Sequence, residues 1–317
     1  MHELAERIQA GDIRAMARAI TLVENNHPDK LALLSDVFSI KKQAHYIGIT
    51  GSPGAGKSSL VNRLLTHLRD RGLTVAVIAV DPTSPFSGGA LLGDRIRMQQ
   101  HFTDPGIFIR SMATRGSLGG LSRATKDSIR ICDAYGFDVV LVETVGVGQS
   151  ELDIMKVVDT TAVVLTPNSG DVLQIFKAGI MEIADLFVLN KADLPGVRKL
   201  KVQLEELLMI SGHTDWVNPI IETVSTENKG IDTLWQEFVK HRAYLDETEA
   251  GSQKRKNQLE LEVYDLMREE LWKDVQTFVE SDERKQEQLK EENLDPYEQA
   301  SAWLEEWKKQ RGRMGSS

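Results

Sequence analysis

Residues 51–58, GSPGAGKS, constrain the fold of this chain more than any other segment. They fit the pattern G-x-x-x-x-G-K-[ST] and lie between the apolar run YIGIT and the segment SSLVNRLLTHL, whose apolar residues have helical spacing. Glycines let such a loop curve closely around phosphate groups, and the following helix directs N–H groups and its positive dipole end toward them. The segment therefore predicts a strand, a phosphate-binding loop and a helix in succession.

This loop supplies most of the predicted nucleotide contacts. Lys57 is expected to reach the outer phosphates, and the Ser58 hydroxyl is expected to bind Mg²⁺. A glycine-rich turn without a ligand is the alternative, but the Lys-Ser pair stands in register and its surroundings fit the motif. The nucleotide-binding residues predicted here are Gly51, Ser52, Pro53, Gly54, Ala55, Gly56, Lys57, Ser58 and Ser59.

Short apolar runs recur from Tyr46 onward, separated by segments that can form helices. They occupy residues 46–50, 74–80, 107–110, 138–142, 161–165, 185–189 and 217–221. Runs without polar alternation are typical of strands buried on both faces, and the spacing leaves room for crossover helices. We predict an α/β fold: a doubly wound, mostly parallel sheet of the P-loop type with N-terminal and C-terminal helical extensions.

Apolar spacing outside these runs is helical. Residues 1–45 form a predicted helical extension with breaks at Gly11-Asp12 and His27-Pro28, residues 46–246 form the P-loop domain, and residues 247–317 form a C-terminal helical arm. In this arm, Leu259, Val263, Leu266, Leu271, Val275 and Phe278 form a predicted apolar stripe. The polar run over 281–295 is expected to be a solvated helix or hinge.

Composition limits the partners and the location. A net charge of −9 opposes general attraction to nucleic-acid phosphates, and no stretch approaches the roughly 20 apolar residues that a membrane span needs. The single cysteine, Cys132, cannot close an intramolecular disulfide and is expected in the core. Glu3 and Glu6 stand where a targeting peptide would carry mainly basic residues. We expect a cytoplasmic protein without nucleic acid or membrane partners.

Residues 190–193, NKAD, follow the apolar run DLFVL at a predicted strand end and indicate a guanine site. The Asp193 carboxylate can accept from the ring N–H and the exocyclic amine of guanine, whereas adenine presents an acceptor at that edge. Asn190 and Lys191 belong to the same predicted site. Ser225 and Thr226, before the turn NKG, are placed to give backbone contacts to the base. An ordinary strand-end turn is the alternative for each segment.

Two further strand ends carry acids. Asp81 ends the run VIAVD, and Glu143 ends DVVLVE and is followed by Gly146, which is expected near the terminal phosphate. Carboxylates there can hold Mg²⁺ directly or through water. The Pro-, Ser- and Gly-rich loop over 82–94 is a candidate switch that carries Asp94. Ser58, Asp81, Asp94 and Glu143 are the predicted metal ligands, and Lys57, Asp94 and Glu143 the predicted catalytic residues.

The strings GSPGAGKSS, DPTSPFSGGALLGDRIRM, ETVGVGQSE and NKAD together resemble the MeaB or ArgK-type GTPases of the P-loop G3E group, from about residue 5 to 280. These metallochaperone GTPases are accessory proteins of adenosylcobalamin-dependent acyl-CoA mutases such as methylmalonyl-CoA mutase. The resemblance implies a homodimer, joined through the C-terminal arm, that gates cobalamin delivery and protects or reactivates the mutase. It also implies Mg²⁺ and switch roles for Asp81, Asp94 and Glu143.

The resemblance further implies a third switch that couples to the mutase, made of Asp171, Gln174 and Lys177. From the residues alone, an ordinary strand-to-helix turn is an equal interpretation of this stretch.

Three alternatives to a mutase chaperone remain open. One is a kinase for a small molecule or a transport protein, an older label of this family, which needs a base beside an acceptor site. Another is a nickel-delivery GTPase, which should show a His-rich tract or Cys-His cluster, and this sequence has neither. The last is an assembly module in which the nucleotide only stabilises a dimer. The sequence leaves the client mutase open.

Overall fold

Seven parallel strands form one sheet in the computed structural model, which describes residues 1–40, 42–81, 98–113, 123–144, 153–167, 180–210, 215–291 and 293–314. The strand order is β3-β2-β4-β1-β5-β6-β7, and every neighbouring pair is parallel. The strands are β1 His45–Thr50, β2 Val75–Asp81, β3 Ile107–Ala113, β4 Val139–Glu143, β5 Thr160–Leu165, β6 Leu186–Asn190 and β7 Ile220–Thr223. The predicted α/β sheet is confirmed.

Helices cover both faces of the sheet in the unit Met1–Gly251. They are α1 Glu3–Gln9, α2 Ile13–Glu24, α3 Lys30–Ser39, α4 Lys57–Arg69, α5 Arg123–Tyr135, α6 Ile180–Ile183, α7 Val197–Ile210 and α8 Ile231–Glu247. Alternate strand residues face opposite layers: Ile78 and Val140 pack with α1 to α3, α5 and α7, whereas Val77 and Leu141 pack with α4 and α8. Helices on both faces, together with a strand order that runs outward in both directions from β1, make the sheet doubly wound.

The N-terminal helices are part of the first apolar layer. Asp12 begins α2, because its side chain accepts from the backbone N–H groups of Arg14 and Ala15. Met16 and Ile20 of this helix are fully buried in the layer that also contains Val140. Three helices with breaks at residues 11–12 and 27–28 are confirmed.

Strand boundaries follow the predicted runs to within about one residue, except in β3, which continues to Ala113 beyond the predicted run over 107–110, and in β7. The predicted run over 217–221 begins as a strand only at Ile220. Pro219 precedes it and lacks an N–H, so it cannot donate to a ladder, although its carbonyl accepts from Phe187 N at 2.9 Å. Val217 is exposed. The predicted start of β7, which rested on apolar character alone, was therefore too close to the N-terminus.

The second unit, Ser252–Ser317, is mostly helical in its described residues. Helix α9 Glu249–Glu280 begins just before it, and α10 Glu283–Gln288 and α11 Pro296–Met314 follow. Along α9, apolar side chains are exposed at four positions spaced by one helical turn: Leu259, Val263, Met267 and Leu271. No helix in the described ranges is long and apolar enough to cross a membrane.

Candidate nucleotide-binding site

The loop between β1 and α4 requires glycine at two positions. Gly51 has φ 134°, and a Cβ there would lie 2.2 Å from the Val164 carbonyl oxygen of β5. Gly56 has φ 91°, and a Cβ there would lie 2.4 Å from Asn190 Nδ2. A side chain at either position would combine a strained backbone with a steric clash. The glycines of the motif therefore let the loop lie against β5 and β6.

Lys57 is the first residue of α4, and its side chain turns back over the loop. Its Nζ donates to the carbonyls of Gly51, at 2.7 Å, and Ser52, at 3.1 Å. The ammonium group is buried. A positive charge thus lies within the curve of the loop, beside the N-terminus of α4, where an anionic group is favoured.

Ser58 and Glu143 meet at the ends of α4 and β4. The Ser58 hydroxyl donates to Glu143 Oε1 at 2.7 Å, and the two residues are 6% and 3% exposed. Glu143 pairs with Ile49 in the sheet, so its strand ends level with the end of β1. Directly after it, the Thr144 hydroxyl donates to Thr50 Oγ1 at 2.8 Å, which holds the two strand ends together.

Asn190 connects the phosphate loop with the loop after β7. Its Nδ2 donates to the Ala55 carbonyl at 2.9 Å, and its Oδ1 accepts from the hydroxyls of Thr223, at 3.1 Å, and Ser225, at 2.8 Å. The residue is 2% exposed. Next to it, Lys191 Nζ donates to the Gly54 carbonyl at 2.9 Å. The NKAD segment and the phosphate loop therefore form one hydrogen-bonded assembly.

Asp193 and the loop over 225–227 flank this assembly. Asp193 is exposed in the turn after β6, and Ser225 begins a 3-10 turn, Ser225–Glu227, after β7. The Ala192 N–H donates to the Thr223 carbonyl at 3.1 Å, which joins the two turns. The side chain of Arg63 on α4 also donates to the carbonyls of Ser225 and Thr226.

Some predicted site residues lie outside the described part. These are Asp94, Gly146, Asp171, Gln174 and Lys177. For Asp81 the structure describes the main chain, which ends β2, and Ala79 in the same strand pairs with Glu143. The carboxyl ends of β1, β2, β4, β5 and β6 thus meet at the edge that carries the phosphate loop.

Two buried side chains, His101 and Cys132, have shifted pKa values. Asn62 Oδ1 lies 2.8 Å from His101 Nε2, in the short helix Gln99–His101. Burial lowers the pKa of His101 below its ordinary value. Cys132 is fully buried and burial raises the pKa of its thiol, which makes it an unreactive core residue, as its isolation in the sequence predicts.

The sequence missed Arg63, Thr50 and Thr144. Threonines beside a P-loop and an arginine in the following helix carry no local signal, because their partners lie far away in the chain. Arg63 and Ser225 are 162 positions apart.

These features define a P-loop nucleotide-binding protein. At one edge of the parallel sheet they combine a loop bent by glycines, a helix N-terminus, a buried lysine and a serine paired with a carboxylate. Residues 16–280 match the family model described as "Methylmalonyl Co-A mutase-associated GTPase MeaB". The chain belongs to this family, whose members are P-loop GTPases.

Two relatives and one solved structure support this placement. A protein of Pyrococcus horikoshii is 50% identical over 307 residues, which cover 96% of this chain and 97% of that protein. The GTPase ArgK of Escherichia coli is 36% identical over 267 residues, covering 81% and 80% of the two chains. A crystal structure named as an LAO/AO transport system kinase is 28% identical, covers 96% of both chains and has a TM-score of 0.69.

Proposed function

We propose that this protein binds GTP with Mg²⁺ and hydrolyses it to GDP and phosphate at the edge formed by the phosphate loop, Glu143 and the NKAD segment. The observation that carries this proposal is the buried contact of 2.7 Å between the Ser58 hydroxyl and Glu143 beside the start of α4. A hydroxyl and a carboxylate in this place are the oxygen groups that a phosphate-bound Mg²⁺ needs.

The Ser58 hydroxyl and the Glu143 carboxylate fit Mg²⁺, because both are hard oxygen ligands. They already contact each other, so an ion held by the hydroxyl would also lie close to the carboxylate. Ser58 and Glu143 would hold the ion, with Asp81 and Asp94 as further proposed ligands. When bound, Mg²⁺ neutralises charge on the phosphate oxygens.

The protein's own groups position the phosphates. The N–H groups of the loop and the N-terminus of α4 favour the anionic phosphates, and Lys57 moves from the carbonyls of Gly51 and Ser52 to the outer phosphates. Phosphoryl transfer depends mainly on such positioning and on charge neutralisation, so an incomplete site is slow. Gly146 is proposed to approach the terminal phosphate and Asp94 to complete the catalytic set.

Guanine selectivity is proposed for Asp193, which accepts two hydrogen bonds from the base. Asn190, three residues before Asp193, ties the end of β6 to the phosphate loop through Ala55 and to the loop after β7 through Ser225. The remaining proposed base and phosphate contacts are those of Ser52, Pro53, Ser59, Lys191 and Thr226.

The proposed partner is an adenosylcobalamin-dependent acyl-CoA mutase, most simply methylmalonyl-CoA mutase. The family description names mutase association, and the matched range of residues 16–280 includes Asp171, Gln174 and Lys177, for which the resemblance implies the coupling role. In this role GTP hydrolysis times cobalamin delivery and protects or reactivates the mutase. Lys177→Ala should then abolish stimulation by the mutase while GTP affinity and unstimulated turnover stay nearly unchanged. Equal stimulation of both proteins would reject this role of Lys177.

The proposed division of the chain is an extension over 1–45, a P-loop domain over 46–246 and a C-terminal arm over 247–317, and a homodimer is proposed through this arm. The support is the row of exposed apolar side chains on α9, since a soluble chain rarely exposes such a row without a partner. The proposed location is the cytoplasm, without nucleic acid or membrane partners.

Phosphate release separates hydrolysis from the kinase function that the name of the solved relative suggests. GTP and ATP are each incubated with the protein, with and without amino acids or a transport protein as acceptors. Hydrolysis predicts release from GTP that needs Mg²⁺ but no acceptor. Radiolabelled phosphate on an acceptor, with no phosphate released to water, would favour the kinase.

A further inference from the structure

Arg63 links the helix of the phosphate loop to the loop after β7. Its Nε donates to the Ser225 carbonyl at 2.8 Å, and its Nη2 donates to the Thr226 carbonyl at 3.3 Å. The guanidinium is planar and presents its donors in a fixed fork, so two adjacent carbonyls suit it better than they suit a lysine. A single side chain of α4 thus holds two consecutive peptide groups.

The 3-10 turn Ser225–Glu227 is held from β6 as well. Asn190 Oδ1 accepts from the Ser225 N–H at 3.4 Å and from the Ser225 hydroxyl at 2.8 Å. The Glu227 N–H donates to the Val224 carbonyl at 3.0 Å. Two of the three amides of the turn therefore donate within the protein, and the third belongs to Thr226.

Arg63 sets the direction of this third amide. The described chain contains no cis peptide bond, and in a trans peptide the C=O of one residue and the N–H of the next point in opposite directions. When Arg63 draws the Ser225 carbonyl toward α4, the Thr226 N–H must point away from α4. Without Arg63, the peptide group between Ser225 and Thr226 would lose the hydrogen bond to its carbonyl.

Guanine needs a donor next to the carboxylate that Asp193 supplies. If Asp193 accepts from the ring N–H and the exocyclic amine, the neighbouring group on the same edge is the O6 acceptor. A backbone N–H satisfies O6, whereas adenine carries an amino donor at that position and would leave both donors unpaired.

We propose that Arg63 is a positioning residue for guanine recognition, because it fixes the Ser225 and Thr226 carbonyls and so directs the Thr226 N–H toward guanine O6. This inference rests on the proposed guanine site. It adds a residue that touches neither base nor phosphate but determines which bases the loop accepts.

The test compares the affinities of GDP, IDP and ADP by calorimetry for the unmodified protein, Arg63→Gln and Arg63→Lys. IDP keeps O6 and the ring N–H but lacks the exocyclic amine. In Arg63→Gln, loss of the O6 contact should lower the affinities for GDP and IDP alike by about tenfold. The affinity for ADP should be nearly unchanged. Arg63→Lys, which can reach one carbonyl, should recover part of the loss.

Arg69→Gln is the matched control, since Arg69 lies on the same helix and also donates to a backbone carbonyl, that of Leu73, at 2.8 Å. It should lower the melting temperature without changing the ratio of GDP to ADP affinity. Melting of each variant without nucleotide shows that the tested protein is folded.

Three results overturn the inference. Unchanged GDP affinity in Arg63→Gln would remove its role, and an equal loss for GDP, IDP and ADP would make Arg63 a general stabiliser of the site. A larger loss of affinity for GDP than for IDP would show that Arg63 acts on the contact with the exocyclic amine instead. Equal affinity of the unmodified protein for GDP and ADP would reject the guanine site itself, which distinguishes failure of the proposed function from failure of this inference.

Discussion

The Ser58 hydroxyl donates to Glu143 Oε1 at 2.7 Å, although the two residues are 85 positions apart in the chain. The contact joins the first turn of α4 to the end of β4, and both side chains are buried. A carboxylate is costly to bury unless its oxygens are hydrogen-bonded or bind a cation. Its place beside the phosphate loop is one where a phosphate-bound cation would meet an oxygen ligand.

Glu143→Ala should lower Mg²⁺-dependent GTP turnover by about a hundredfold or more, because charge neutralisation at the phosphates is lost. GDP affinity measured without Mg²⁺ should change little, since the loop and Lys57 remain. Glu222→Ala, which removes an exposed carboxylate that pairs with Lys201, is the control. Phosphate release by Glu143→Ala at the unmodified rate would exclude Glu143 from the metal site.

Asp193→Asn should shift base preference from guanine to xanthine nucleotides, because the amide replaces one acceptor with a donor and xanthine offers an oxygen where guanine has its amine. The expected result is weaker GDP binding and stronger XDP binding in calorimetry. Lys57→Ala should instead weaken all triphosphates alike. Tighter binding of GDP than of XDP by Asp193→Asn would show that Asp193 does not contact the base edge.

Local motifs explain why much of the fold and of the site could be predicted. Gly51 and Gly56 have backbone conformations and close neighbours that require glycine. Lys57, Ser58 and Asn190 belong to the same short motifs, so the sequence alone indicated which segments carry the site. The apolar runs predicted all seven strands because strands buried on both faces need continuous apolar residues.

Contacts between distant segments escaped prediction for a physical reason. Arg63 bonds to carbonyls, and a backbone carbonyl leaves no trace in the identity of its residue. The Thr50 and Thr144 hydroxyls meet only because β1 and β4 are neighbours, and strand order follows from the packing of the whole sheet. Boundaries such as the start of β7 depend on which N–H groups can donate to the ladder.

The combined variant Val263→Glu, Met267→Glu should convert a dimer into a monomer, because it places two charges in the exposed apolar row of α9. Light scattering coupled to gel filtration measures the mass. Val202→Glu, at an exposed apolar position of α7, is the control and should leave the mass unchanged. An unmodified protein that runs as a monomer at all concentrations would contradict the dimer.

Stability should fall as the pH drops below about 6.5, the ordinary pKa of histidine, because burial lowers the pKa of His101 in the folded state. Between the two pKa values the unfolded chain binds more protons than the folded one, so acid favours unfolding. Between about pH 7.5 and about pH 5.5, the melting temperature of His101→Gln should therefore fall by less than that of the unmodified protein.

Burial also lowers the pKa of His67, so part of the acid effect should remain in His101→Gln. The nearby carboxylate of Asp104 acts on His101 in the opposite direction and is outweighed by burial. An identical loss of melting temperature in both proteins would show that His101 titrates alike in the folded and unfolded chains.

Phosphate release from GTP at increasing concentrations of an adenosylcobalamin-dependent acyl-CoA mutase tests the central claim most directly. We predict slow release by the protein alone, a saturable increase with the mutase, no comparable release from ATP and no release by Lys57→Ala. Stimulation by a partner that completes such a site can reach about 10³-fold or more. Release that is the same with and without every acyl-CoA mutase tested, or equal for ATP and GTP, would contradict the account.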